Sequence, residues 1–259
     1  RSLRTHVLHR SQRQKLQSIV VASINPSETS GFHPPMTNGT ISAVTTLMMK
    51  AHRSRTASSG RLAFFHRAIA GTTFFSGAST DVVAHEVGHG LLDKLRPDLW
   101  DAPYLETGAL HESFGDCMAV LTALADRDTR KKLLAATTTL KKKNFVESTA
   151  ENLSEGIRRL DPSHNAAEPR HAYNNFEFQI PETLPFDGGP GELINEVHSF
   201  GMLFSGCFYD LIVAIFASRA NQTEAGLLTS AKTAGSLLVA GASSAIITPR
   251  FDAAPTSRK

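Results

Sequence analysis

The chain has 259 residues, 41% of them hydrophobic and 20% charged, with a formal net charge of +3. This length supports a sizeable core in one domain or two lobes, and the composition is that of an ordinary soluble globular protein. Only Cys117 and Cys207 are available as thiols, which excludes a secreted disulfide framework; both sit among apolar neighbours in expected helices and read as buried free thiols. No transmembrane segment is expected, because Thr233 to Pro249 is interrupted by Gly, Ser and Thr and Leu211 to Ser218 is too short to span a bilayer.

The charge is unevenly placed. Residues 1–80 hold ten Lys or Arg and one acid, Glu28, a balance of +9, which leaves −6 for the remainder. Arg and Lys are spread among apolar segments without the aromatic interleaving that stacks bases, so a solvated basic surface is expected and no nucleic-acid partner. The chain begins at Arg1 without an apolar signal core, as expected of a processed chain or a fragment. Its location and oligomeric state are left open, and export after processing is compatible with these features.

In chain order, Arg1 to Ser23 reads as a basic helix ending in the apolar run Ile19 to Ala22. Asn25 to Thr40 is loop chemistry, with Pro26, Gly31, Pro34, Pro35 and the turn-forming Asn38-Gly39; His33 stands in it as a surface residue. Ile41 to Ala51 fits a helix or a strand. A polar break at Ser54 to Gly60 and the segment Arg61 to Ala70 lead to Thr72 to Phe75, TTFF, a β-prone strand.

Ser79 to Leu92, STDVVAHEVGHGLL, carries the chemistry. Val82, Val83, Val87, Leu91 and Leu92 recur at helical spacing. Ser79 or Thr80 is expected to cap the free amides, and Asp81 suits the positive end of the dipole. His85, Glu86 and His89 form HExxH. At 3.6 residues per turn the two histidines share a face and can grip one metal ion, while Glu86, rotated by about 100°, sits beside the metal, where it can take a proton from activated water. Pro97 should stop the helix.

Asp98 to Glu106 is a loop bearing Trp100 and Tyr104. Thr107 to Leu124 reads as a second helix with Leu110, Phe114, Cys117 or Met118, and Leu121 buried. Glu112 and Asp116 lie one turn apart on another face of it. A hydrolytic Zn²⁺ takes three protein ligands and keeps a fourth place for water, so His85, His89 and Glu112 form a candidate His₂Glu set. Asp116 can accept the other N–H of a ligating histidine.

TDVVAHEVGHGLLD and GALHESFGD resemble the two zinc-binding helices of thermolysin-like metallopeptidases, over roughly Thr80 to Ala123 and more weakly from Gly156 to Asp210. The resemblance implies an α+β, two-lobe zincin. Its β-containing N-terminal lobe, 1–97, would end in the HExxH helix, and its mainly helical C-terminal lobe, 98–259, would carry the third ligand, with the active site between them. It implies zinc-dependent hydrolysis of peptide or protein substrates, with Glu86 as general base. Within LSEGIRRLDP, Arg158 or Arg159 would reach the substrate carbonyl, Arg158 being preferred. His198, between the turn-rich loop Pro181 to Gly191 and an apolar helix over Phe200 to Ala217, would stabilise the oxyanion, with Tyr104 as a second donor.

The chain departs from that family at several positions. His111 replaces an Asn that helps to fix the second zinc-bound histidine, Tyr104 is one residue out of place, and no acid stands five residues before His198, although Asn195 and Glu196 are near. Asp81 matches one calcium ligand, but Ala123 replaces a partner Glu, so the double calcium site of that family is not expected. The region before the motif also lacks a recognisable edge strand for peptide. An aminopeptidase of related type and a non-catalytic, zinc-stabilised binding or scaffold protein are the alternatives. Of the rest, Asp126 to Lys143 reads as a charged, helix-prone surface, His164 and His171 as surface residues, Gly226 to Ile247 as helix and Phe251 to Lys259 as a frayed tail.

Overall fold

A computed structural model of the chain describes residues 62–244 apart from positions 63, 65, 70, 103 and 138. The segments expected at Arg1 to Ser23, Asn25 to Thr40, Ile41 to Ala51, Ser54 to Gly60 and Phe251 to Lys259 lie outside the described residues.

Helices dominate what is described. Strands β1 (His66–Ile69) and β2 (Thr72–Phe75) form an antiparallel hairpin in which His66 faces Phe75 and Ile69 faces Thr72. Gly71 turns it at φ +78, a left-handed backbone that glycine adopts without a Cβ penalty. Helix α1 (Thr80–Leu95) follows. Ser79 is its N-cap in position only, for its side chain accepts no capping bond. Asp81 points instead to a distant segment, where its Oδ2 accepts from the Ala150 amide at 2.7 Å. The helix stops at Arg96, before a turn of 3₁₀ helix over Pro97–Asp101.

Helix α2 (Leu105–Ala125) is the hub, buried over most of its length. It packs against α1, α3 (Arg127–Ala136), α5 (Val197–Ala217) and α6 (Glu224–Ser244). Leu92, Phe114, Met118, Leu124, Tyr209, Ile212, Phe216, Leu227 and Val239 form one core, so the HExxH helix shares the hydrophobic centre of the helices that follow it. Buried Arg130 on α3 donates to the carbonyls of Leu124 and Ala125, each at 2.7 Å, and pairs with Glu224. These bonds satisfy carbonyls that the end of α2 leaves without intrahelical partners. Between α3 and α5, strands β3 (Ser148–Thr149) and β4 (Arg170–His171) pair antiparallel around helix α4 (Glu151–Leu160).

One of the two cysteines differs from the sequence reading. Cys117 is buried, but Cys207 is exposed, because α5 turns Ser205, Gly206, Tyr209 and Ile212 to the core and Cys207 to the other side. By length and composition α5 is also apolar enough to cross a membrane, with a mean hydropathy of 1.9, and half of that stretch is buried within the protein.

The α1–α2 crossing is made by glycines. A Cβ on Gly88 would stand 2.8 Å from Gly115 Cα, and a Cβ on Gly115 would stand 2.6 Å from His85 Nδ1. Close backbone approach is thus what lets both helices reach one point. Gly115→Ala should destabilise the fold by about 1–3 kcal/mol through overpacking and should displace His85. Chemical denaturation and metal content together check this, and a variant of unchanged stability and metal content would contradict the packing.

Candidate metal centre

Helix α1 offers His85 and His89 from adjacent turns, and α2 offers Glu112 from the facing side. All three are buried, and one ligand atom from each lies within 4.8 Å of the others. His85 Nε2 is 3.2 Å from Glu112 Oε2, and His89 Nε2 is 3.6 Å from Glu112 Oε1. His198, in the first turn of α5, brings its Nε2 to 3.2 Å from Glu112 Oε2. Yet Glu112 Oε2 and His198 Nε2 are buried without a hydrogen-bond partner of proper geometry. The atoms converge without a shared proton in line, an arrangement that suits a cation between the donors. A carboxylate buried this deeply is costly unless paired or metal-bound.

Around these groups lies a set of orienting bonds. Asp116, one turn after Glu112, has its Oδ1 2.9 Å from His85 Nδ1. A carboxylate there keeps the proton on Nδ1, so a cation binding at Nε2 would displace only the second proton. Arg170 of β4 grips Asp116 in two places, Nε to Oδ2 at 3.0 Å and Nη2 to Oδ1 at 2.7 Å. Glu196 orients His198, with Oε1 at 2.5 Å from Nδ1. Its Oε2 accepts from the amides of His198 and Ser199, both at 3.0 Å, so the same carboxylate caps α5.

The protonation equilibria reflect this crowding. Burial would lower His85, but its bonds to Asp116 and Glu112 outweigh burial and hold it at about 9. Burial and the neighbouring His85 charge push His89 down to about 3. For Glu112, burial opposes ionisation, but His198 and the His85 bond hold its carboxyl well below the usual range. His198 is raised despite burial, by Glu112 and Glu196. Burial lifts Glu86, which feels the charges of His85, Glu112, Arg170 and His198.

Of the other expected residues, His111 is buried 3.9 Å from Asp93 Oδ1, with its ring 5.7 Å from that of His89. His89 Nδ1 has no hydrogen-bond partner, so His111 packs beside His89 and does not fix it by a direct bond. Tyr104 is the N-cap of α2, with 39% exposure, and among the described residues no hydrogen bond joins its side chain to the cluster. The side chain of Arg158 is 57% exposed and pairs with Glu155 on the same helix. Arg159 also pairs with Glu155 and reaches Thr72. The amphipathic α4 turns Ser154 and Ile157 inward and both arginines outward, and the arginine at the centre is Arg170. No motif marks it, although it is the sole Lys or Arg between Arg159 and Arg219 and Asp116 needs a cation.

His164 is exposed and caps a short turn by accepting from the Ala166 amide at 3.1 Å. His171 is half-buried, with its Nδ1 3.0 Å from Glu147, a fully buried carboxylate that also accepts from the amides of Asn144 and Tyr173. Beside the centre a cavity of about 660 Å³ opens between α4 and α5, with Leu153, Ile157, Phe176 and Met202 as apolar walls and Arg170 and His198 on its rim.

The donor set could hold a single metal ion, with two imidazole nitrogens and one carboxylate as its protein ligands. Models of known protein families, characterised proteins and solved structures contain no match to this chain.

Removing an orienting partner should loosen the metal without abolishing the site. Asp116→Ala is expected to weaken zinc binding by roughly 10–100-fold, read by competition with a chromophoric chelator, while Arg158→Ala should leave it unchanged. Equal affinity in the Asp116 variant would remove the orienting role.

Proposed function

We propose that this protein is a zinc-dependent metallopeptidase, organised as a two-lobe zincin of the thermolysin-like type. The observation that carries the reading is the buried His85–His89–Glu112 set, with Glu112 Oε2 unsatisfied and Glu86 next to the first ligand. His85, His89 and Glu112 would hold the ion. When bound there, zinc acidifies water and polarises a carbonyl.

The protein's own groups supply the remaining chemistry. Glu86, raised by burial, is a carboxylate poised to accept a proton from the attacking water and pass it to the leaving amine. His198, raised by Glu112 and Glu196 and locked by Glu196, is a charged donor for the developing oxyanion, its Nε2 directed into the cluster 3.2 Å from Glu112 Oε2. Asp116 holds His85 in the ligating tautomer, and Arg170 keeps Asp116 ionised and in place. The apolar cavity beside His198 would exclude water from one side of a bound chain.

Metal analysis and a quenched-peptide assay test the reading together. One zinc per chain is expected, with hydrolysis lost on chelation and restored by zinc. Glu86→Gln should retain zinc and lose about 10²–10⁴-fold in turnover, and His198→Ala about 10²–10³-fold in kcat. Zinc without hydrolysis over several peptide sequences would favour a zinc-stabilised scaffold instead.

A further inference from the structure

We propose that the segment Asn174 to Ile180 is a peptide-binding edge, on which an extended, cationic substrate pairs through its backbone as an added strand. The proposal rests on the peptidase reading for the identity of the bound peptide as substrate.

Both ends of the segment are tied down. Asn174 Nδ2 donates to the carbonyls of His171 and Met202 at 2.8 and 3.0 Å, and its Oδ1 accepts from the Phe176 amide at 3.1 Å. Beyond the far end, Asn195 Nδ2 donates to the Pro181 carbonyl at 3.0 Å. Between these anchors residues 174–180 run without helix, turn or bend, and Ile180 is extended at φ −64, ψ 122. Among the described residues, the backbones of Asn175, Glu177 and Gln179 make no hydrogen bond. Free N–H and C=O groups at alternate residues of a run tied at both ends are what an incoming strand needs. Seven residues cover about 20 Å, enough for both sides of a scissile bond.

Phe176 lines the cavity that also holds His198 and Arg170, and Phe178 packs edge-on against Phe200 with ring centroids 6.1 Å apart. Phe200 stands two residues after His198 on α5, so the segment is continuous with the candidate centre. Glu177 and Gln179 face solvent. Charge argues for the occupant. From 168 to 192 the chain carries the carboxylates Glu168, Glu177, Glu182, Asp187 and Glu192 and a single Lys or Arg, Arg170; Arg170 is already engaged by Asp116, and Glu182 has an interaction of its own.

Hydrogen exchange of the zinc-loaded, full-length Glu86→Gln protein tests this without consuming the peptide. The probes are two peptides of equal length, one flanked by lysines and one by glutamates. The amides of Glu177 and Gln179 should exchange rapidly in the free protein and at least about 10-fold more slowly with the lysine-flanked peptide, which should bind more tightly, and less so at high salt. Gln179→Pro, which removes one N–H, should weaken that peptide by about 5–10-fold for the loss of one hydrogen bond and leave zinc content unchanged.

Peptide bound with both amides still fast would overturn the proposal, as would unaltered affinity in the proline variant or a preference for the glutamate-flanked peptide. Amides already slow in the free protein would also overturn it, because another part of the chain would then occupy the edge. If neither peptide binds while the unsubstituted protein cleaves other peptides, the edge is wrong and the peptidase reading stands. Slowed amides without turnover in the unsubstituted protein would leave a peptide-binding edge and remove the peptidase.

Discussion

Glu112 has to remain charged in a place where charge is expensive. Its carboxylate is 2% exposed, and taking an unpaired carboxylate out of water costs several kcal/mol. Three imidazoles surround it, and one oxygen keeps no hydrogen bond. A divalent cation would take over from the imidazoles that hold it ionised, turning ion pairs among buried donors into coordination. The other features of the centre follow from the need to bring those donors together and keep their lone pairs directed inward.

Bringing them together is the task of the α1–α2 contact. Gly88 and Gly115 let the two backbones touch, and the same approach sets His85 beside Gly115. Leu92, Phe114 and Met118 lie in the core that holds both helices, so hydrophobic burial positions polar groups that could not hold one another. Asp116 then joins the centre to the rest of the chain. It takes His85 on one side and Arg170 on the other, and Arg170 reaches it only because β4 pairs with β3. A short antiparallel contact in an otherwise irregular region is thereby coupled to the orientation of a ligand on the first helix.

Glu196 shows the same economy. One of its oxygens caps α5 and the other fixes His198, so the helix start and the orientation of the His198 ring depend on one side chain. Burial gives these bonds their strength, since water is not available to compete. The cavity and the segment from Asn174 to Ile180 lie on the same side of the centre, giving it both an apolar wall and a run of open backbone.

Periodicity sufficed for the helices that carry the ligands, because 3.6-residue spacing and a proline stop are local physics. The stretches expected as helix at 79–92 and 107–124 correspond to helices over Thr80–Leu95, with Ser79 as its N-cap, and Leu105–Ala125, and TTFF is a strand. The grouping of His85, His89 and Glu112 was legible for the same reason: helical spacing puts the histidines on one face, and a buried carboxylate pair on a second helix needs a cation or a donor. The arginine was not legible. Arg158 and Arg159 lie on an amphipathic helix whose polar face looks outward, and Arg170 sits in a stretch with no periodic signal, brought to Asp116 by a pairing between residues 21 apart. Glu196 was visible as a neighbour of His198 but not as its partner, since two-residue spacing becomes a contact only when the chain turns into a helix there. By itself the sequence determined which side chains could bind metal and which segments were helical, both matters of short-range spacing. Tertiary structure decided which charges orient those ligands and where a substrate has room, because these depend on contacts between segments far apart in the chain, which no local pattern encodes.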